Sequence, residues 1–206
     1  MAQSETILVL GIGNLLWADE GFGVRAAEEF ARRYVCEDSV TIMDGGTQGL
    51  YLLPHVQDAS RLLVFDAIDY GLVPGTLKVI LDAEVPCYMG AKQMSLHQTG
   101  FQDVLAAAKL TGQYPQSLVL IGVQPVELKD YGGSLREPVR AQIDPAVEIA
   151  AGWLRRWGVD VKPRDAAGGV TINSTALGLA AYEQSRPSEE EACRLADPRF
   201  LLRSAD

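Results

Sequence analysis

The run Thr6-Ile7-Leu8-Val9-Leu10-Gly11-Ile12, continued by Gly13-Asn14-Leu15-Leu16-Trp17-Ala18-Asp19-Glu20, decides how this chain folds. An uncharged stretch of aliphatic and β-branched residues reads as a strand buried on both faces, which belongs in a parallel sheet covered by helices. Behind the glycine turn, Val24, Ala27, Ala31 and Tyr34 recur at spacings of three and four, with Glu28, Glu29, Arg32 and Arg33 mostly on other faces. That periodicity predicts an amphipathic helix, opened by Asp19 or Glu20, where a carboxylate meets the positive end of the helix dipole.

The same alternation continues outward. Residues 40–43, 62–65, 76–81 and 117–123 read as further strands, and 49–55, 97–110 and 138–157 as helices. Five strands and four helices make an α/β fold, a three-layer α/β/α sandwich around a five-stranded, mostly parallel, twisted sheet. The 76–81 strand follows 62–65 too closely for a crossover helix, so it is expected to pair antiparallel at a sheet edge and make the sheet mixed. Residues 1–165 read as one α/β domain and 166–206 as a partly irregular C-terminal extension, in which Ser188 and Glu191 fit a capping box.

With 206 residues, 48% hydrophobic and 22% charged, the composition is that of a soluble globular domain rather than a disordered or membrane-spanning chain. Eighteen Lys plus Arg against 27 Asp plus Glu leave a net charge of −9, which disfavours nucleic acid or anionic lipid as a partner. No apolar stretch is long enough to cross a bilayer and no signal segment leads the chain, so it is expected in the cytoplasm, away from membranes and as a monomer. Cys36, Cys87 and Cys193 are widely separated and form neither a disulfide framework nor a zinc ribbon.

The turn Gly11-Ile12-Gly13-Asn14 begins like a dinucleotide-binding loop, but Leu16 stands where the third glycine of GxGxxG belongs. More telling is where polar residues fall relative to the strands. Glu20 follows the first strand, Asp44 ends the second, Asp66 ends the third and His97 opens a later helix. In open α/β sheets, ligands bind in the crevice beyond the carboxyl ends of the strands.

An aspartate behind Leu62-Leu63-Val64-Phe65 is costly if buried alone, so Asp66 needs a donor, a cation or a metal, unless it caps the following turn. His97 has a local alternative as well, since Ser95 lies near the same helix start. A Glu, an Asp and a His on one cleft suit a borderline divalent ion, although three distant segments do not prove a site by spacing alone. Cys87 precedes His97 by ten residues but has no basic neighbour nearer than Lys92 to depress its pKa.

Gly11-Ile12-Gly13-Asn14-Leu15-Leu16, Asp19-Glu20-Gly21-Phe22-Gly23-Val24, Asp44-Gly45-Gly46-Thr47, Asp66-Ala67 and His97-Gln98 together resemble the hydrogenase maturation proteases. The resemblance spans about residues 5–165 in order and leaves the tail outside. It implies an endopeptidase that removes the C-terminal extension of the nickel-loaded large-subunit precursor of a NiFe hydrogenase. It also implies metal ligands at Glu20, Asp66 and His97, with Ni2+ supplied by the substrate, and no nucleotide or other bound cofactor.

The Asp44–Thr47 segment carries over with Asp44 acting in recognition of the loaded substrate or in cleavage and with Gly45, Gly46 and Thr47 contacting the substrate. The tail is similar to that of longer members associated with membrane-bound uptake hydrogenases. Segments 88–94 and 127–137 are the expected selectors of the precursor. Two other readings stay open on the same residues: a non-catalytic chaperone that checks nickel loading, and a dinucleotide-dependent oxidoreductase resting on Gly11 and Gly13.

Overall fold

A computed structural model describes residues 5–90, 96–164, 172–173 and 178–185; at 88–90, 96–99 and 185 only the backbone is described. The strands are β1 (Ile7–Ile12), β2 (Tyr34–Val35), β3 (Val40–Gly46), β4 (Arg61–Ala67), β5 (Leu77–Leu81), β6 (Ser117–Val123) and β7 (Lys162–Pro163). The helices are α1 (Phe22–Arg33), α2 (Leu53–Asp58), α3 (Val85–Gly90), α4 (Leu96–Leu110), α5 (Glu137–Arg140), α6 (Ile143–Arg156) and α7 (Leu179–Ser185). The chain divides into two units, Met1–Ser174, which carries the sheet, and Thr175–Asp206, which carries α7. Among the described residues, no helix is long and apolar enough to cross a membrane.

The main sheet has five strands in the order β3-β1-β4-β6-β5. β1 pairs in parallel with β3 and β4, β4 pairs in parallel with β6, and only β5 runs antiparallel, on β6 at the edge. This is the mixed sheet that the short 62–81 spacing predicts. Because β1 and β4 are buried on both faces, alternate residues feed two cores. Ile7 and Val9 point with Leu63, Phe65, Val119 and Ile121 into the layer of α1 and α6, against Phe22, Phe30, Val147 and Leu154. Leu8, Leu10 and Ile12 point with Leu62, Val64 and Leu120 into the opposite layer, against Val56, Phe101, Val104 and Leu105 of α2 and α4.

Helix α1 lies directly on the strand backbone. A Cβ on Gly11 would stand 2.5 Å from the carbonyl oxygen of Gly23, and one on Gly23 would overlap the carbonyls of Ile12 and Phe65. Glycine at both places lets the helix approach closely enough to follow β1 without an intervening side-chain layer.

Several boundaries differ from the sequence reading. Asp19 and Glu20 do not open α1; they sit in a 3-10 turn, Ala18–Gly21, and α1 begins at Phe22. Tyr34 leaves the helix and pairs with Pro163 in the small β2–β7 ladder. The single helix expected over 138–157 is two, α5 and α6. Pro145 accounts for the break: without an N–H it fits a first helical turn and not an interior, so the helix restarts at Ile143. The segment that carries Cys87 is helical, with Pro86 likewise in its first turn. The Ser188–Glu191 capping box lies outside the described residues.

Candidate active site at the sheet switch point

After β1 the chain moves to β3 on one side; from β3 it crosses to β4 on the other side of β1 and continues outward to β5 and β6. The carboxyl ends of β1 and β4 therefore flank the switch point, where a doubly wound sheet leaves a crevice. Glu20 arrives there from β1, and Asp66 is the penultimate residue of β4.

The turn that carries Glu20 is built by unusual backbone. Gly13 has φ +142 and donates its N–H to the Gly46 carbonyl at 3.1 Å, beside a register shift between β1 and β3 at Gly11/Ile12. Asn14 then closes an Asx turn, its Oδ1 accepting the Leu16 N–H at 3.0 Å. Ala18 follows at φ 37, in the left-handed region that costs a non-glycine residue about 1 kcal/mol.

Asp19 holds that strained turn in place. It is fully buried, and its carboxylate accepts three backbone N–H groups, from Val126 at 2.8 Å, Glu127 at 2.9 Å and Arg136 at 2.7 Å. Its own N–H donates to the Glu127 carbonyl at 3.1 Å, and the Gly132 N–H donates to the Leu16 carbonyl at 2.7 Å. Trp17 meets Tyr131 edge to face at 5.2 Å between ring centroids. The 126–136 loop is thus fastened to the turn bearing Glu20. Sequence reasoning gave Asp19 only a helix-opening role; its adjacency to Glu20 is a signal, but its three acceptor contacts come from residues more than a hundred positions away.

Asp66 is 1% exposed. Its Oδ1 accepts the Ala67 N–H at 2.8 Å, while Oδ2 is buried and accepts no hydrogen bond among the described residues. Burial raises its pKa well above the ordinary carboxylate range; the Ala67 N–H works against this, and the negative charge of Glu20 adds to the rise. Glu20 itself is 7% exposed. Two carboxyl groups close enough to repel, both withdrawn from water, form a pocket of negative potential suited to a cation.

Asp44 lies not at the end of β3 but two residues inside it, opposite Gly11. Its Oδ2 accepts from the Asn173 side-chain amide at 2.7 Å, and its Oδ1 is buried without a hydrogen bond among the described residues. Gly45 is buried against Leu10 and Ile12, Gly46 takes φ +44, and Thr47 is exposed in the turn that follows.

His97 is the second residue of α4; its side chain lies outside the described residues. The helix start nevertheless adjoins the segment after β3, since a Cβ on Gly100 would stand 3.5 Å from the Gly49 Cα. Among the described residues no group of three His, Cys, Asp or Glu side chains is gathered as a metal cluster. The described part of the predicted triad is the pair Glu20 and Asp66. Of the expected selector segments, 127–137 is the loop clamped by Asp19, and residues 91–94 of 88–94 lie outside the described residues.

Residues 24–153 match the family model of the hydrogenase maturation proteases. The hydrogenase expression/formation protein HupM of Azotobacter chroococcum is 61% identical over 199 residues, covering 97% of this chain and 95% of its own. The hydrogenase 2 maturation protease of Escherichia coli is 44% identical over 161 residues, which cover 78% of this chain and 97% of its own. The solved structure of the hydrogenase-maturating endopeptidase HybD from E. coli superposes with a TM-score of 0.74 at 42% identity, over 77% of this chain and 98% of that one.

Proposed function

This chain belongs to the hydrogenase maturation protease family, and from that premise we propose that it is an endopeptidase removing the C-terminal extension of a NiFe hydrogenase large-subunit precursor, with the precursor's own nickel as recognition signal. The observation that carries this reading is the buried carboxyl pair at the switch point, Glu20 with Asp66, whose Oδ2 is unsatisfied among the described residues. A buried acceptor beside a second carboxyl group fits a divalent cation better than it fits water or an apolar peptide.

Glu20, Asp66 and His97 are the residues that would hold nickel, a donor set of two carboxylates and one imidazole that suits a borderline ion. Nickel carried in by the precursor would neutralise the two carboxylates and offer a Lewis-acid centre near the peptide. The chain supplies the remainder. Asp19 and the 126–136 loop hold the Glu20 turn rigid, burial keeps water from Asp66, and Asp44 with Gly45, Gly46 and Thr47 forms the wall along which the peptide lies. A precursor without nickel lacks the cation that these carboxylates attract and binds less well for want of that attraction.

The reading is tested by intact mass of nickel-loaded and nickel-free precursor after incubation with the protein and with Glu20→Ala and His97→Ala variants. Loss of a C-terminal peptide only from loaded precursor, and only with the unmodified protein, is the expected result. Stable complex formation with no mass change would replace the protease with a nickel-checking chaperone. Tight stoichiometric nickel in the isolated protein would count against a metal brought by the substrate.

A further inference from the structure

Asn173 lies beyond the family model's match, which ends at residue 153, and yet its side-chain amide reaches into the wall of the candidate site. The amide nitrogen stands 2.7 Å from Asp44 Oδ2 and 2.9 Å from Glu28 Oε1, so the two hydrogens of one NH2 group are shared between two carboxylates. Glu28 is in turn fixed from α1: its Oε2 pairs at 2.9 Å with Arg25, a guanidinium only 4% exposed. Ile172, the preceding residue, packs on the apolar layer of α1 and α6. The series Arg25, Glu28, Asn173, Asp44 is therefore a continuous polar chain from the first helix to β3.

The consequence falls on one atom. With Oδ2 tied to Asn173, Asp44 is left with Oδ1, buried and without a hydrogen bond among the described residues. Oδ1 faces the bare side of Gly46, where a Cβ would stand 3.4 Å away. A carboxylate held by one oxygen is fixed in orientation, and its second oxygen, withdrawn from water and without a donor among the described residues, is preorganised to accept a single one.

We propose that Asn173 is a positioning residue for Asp44, fixing the carboxylate through Oδ2 so that Oδ1, buried beside Gly46, is the acceptor left for a donor that the substrate peptide brings. The proposal rests on the role given to Asp44 above. It means that in this chain part of the substrate wall is organised by a residue outside the span that the family model covers.

The test is a double-mutant cycle of Asn173→Ala with Asp44→Ala, with Asn173→Asp alongside. It is read as the single-turnover rate of peptide release, as Kd for nickel-loaded precursor, and as Tm. Asn173→Ala is expected to lower rate over Kd about tenfold or more, the scale of a hydrogen bond to a charged group, with Tm within about 2 °C of the unmodified protein. In the Asp44→Ala background the same change is expected to have less than about a twofold effect. Asn173→Asp, equal in shape but setting a third carboxylate against two, is expected to exceed the loss from Asn173→Ala by more while Asp44 is present than in the Asp44→Ala background, where only Glu28 remains to repel it, so a cavity or misfolding cannot produce the pattern. An equal loss in both backgrounds, or no loss in either, overturns the proposal. Normal processing by Asp44→Ala alone overturns the role of Asp44 and is told apart because it appears in the single variant.

Discussion

Gly13 and Glu20 meet backbone to backbone: a Cβ built on Gly13, which sits at φ +142, would overlap the carbonyl oxygen of Glu20. The glycine is the reason that the turn after β1 can fold back over the strand end and deliver a carboxylate to the switch point. Its role in this turn is steric and conformational. Gly13→Ala is expected to destabilise the protein by on the order of 2 kcal/mol or more, a fall of several degrees in Tm. Peptide release should fall further than the lost stability explains, because Glu20 moves with the turn. Thermal melts and processing rates of the same preparation check both; unchanged processing at a lowered Tm would separate the turn from the site.

Asp66→Asn is expected to stabilise the metal-free protein while abolishing processing. The native pKa of Asp66 is raised by burial and by Glu20, so folding takes up a proton at this residue in the range between the unfolded and native values. Stability is then highest below the ordinary carboxylate range and falls as pH rises through the raised native value, above which the whole penalty applies. The amide keeps the Ala67 contact and carries no charge. At pH 8 it should gain about 1–3 kcal/mol, and its Tm should change less between pH 5 and pH 8 than that of the unmodified protein. Equal pH dependence in the two proteins would refute the assignment.

Asp19→Ala removes the buried acceptor of three part-buried backbone N–H groups. At about 1–3 kcal/mol for each donor left unsatisfied, the loss is several kcal/mol, and Asp19→Asn should recover part of it. The signature is local: amide hydrogen exchange in 126–136 should accelerate well before exchange in β1, β4 and β6. Uniform acceleration across the sheet would mean that Asp19 supports the fold generally and not this loop.

The two described cysteines should separate by pH. Cys36 is half-buried, and burial pushes its thiol up to about 11, whereas Cys87 is exposed on α3. At pH 8 the Cys36 thiolate is about a thousandth of the total, so iodoacetamide should label Cys87 first, and Cys36 labelling should climb as the pH nears 11. Peptide mass mapping measures both. Cys87→Ser should leave processing unchanged; its inactivation would move the chemistry from the carboxylates to a thiol.

The architecture was legible because its signals are local. An apolar run such as Ile7–Ile12 is buried on both faces wherever it sits in a parallel sheet, and the nine residues between Ala67 and Leu77 leave room for no crossover helix, so β5 had to run antiparallel. Boundaries were lost where a local rule met a competing one. Acidic residues at a helix start favour the dipole, but Asp19 and Glu20 are recruited by a distant loop and by the cleft, and α1 starts after them. Likewise the apolar periodicity over 138–157 runs across a proline that the hydrogen-bond ladder does not tolerate.

For the site, the sequence by itself determined the residue types and their order: a carboxylate after β1, an Asp-Gly-Gly-Thr segment at the close of the next long strand, another carboxylate in β4 and a histidine at a helix start. It determined them because strand ends and turns are written in nearest-neighbour chemistry. Only the tertiary structure decided that Glu20 and Asp66 are buried close enough to repel, that Asp19 ties their turn to 126–136, and that Asn173 holds Asp44. Those facts depend on burial and on groups brought together across 46 to 129 positions of chain, and a pKa or a hydrogen-bond partner set by such contacts has no local signature to read.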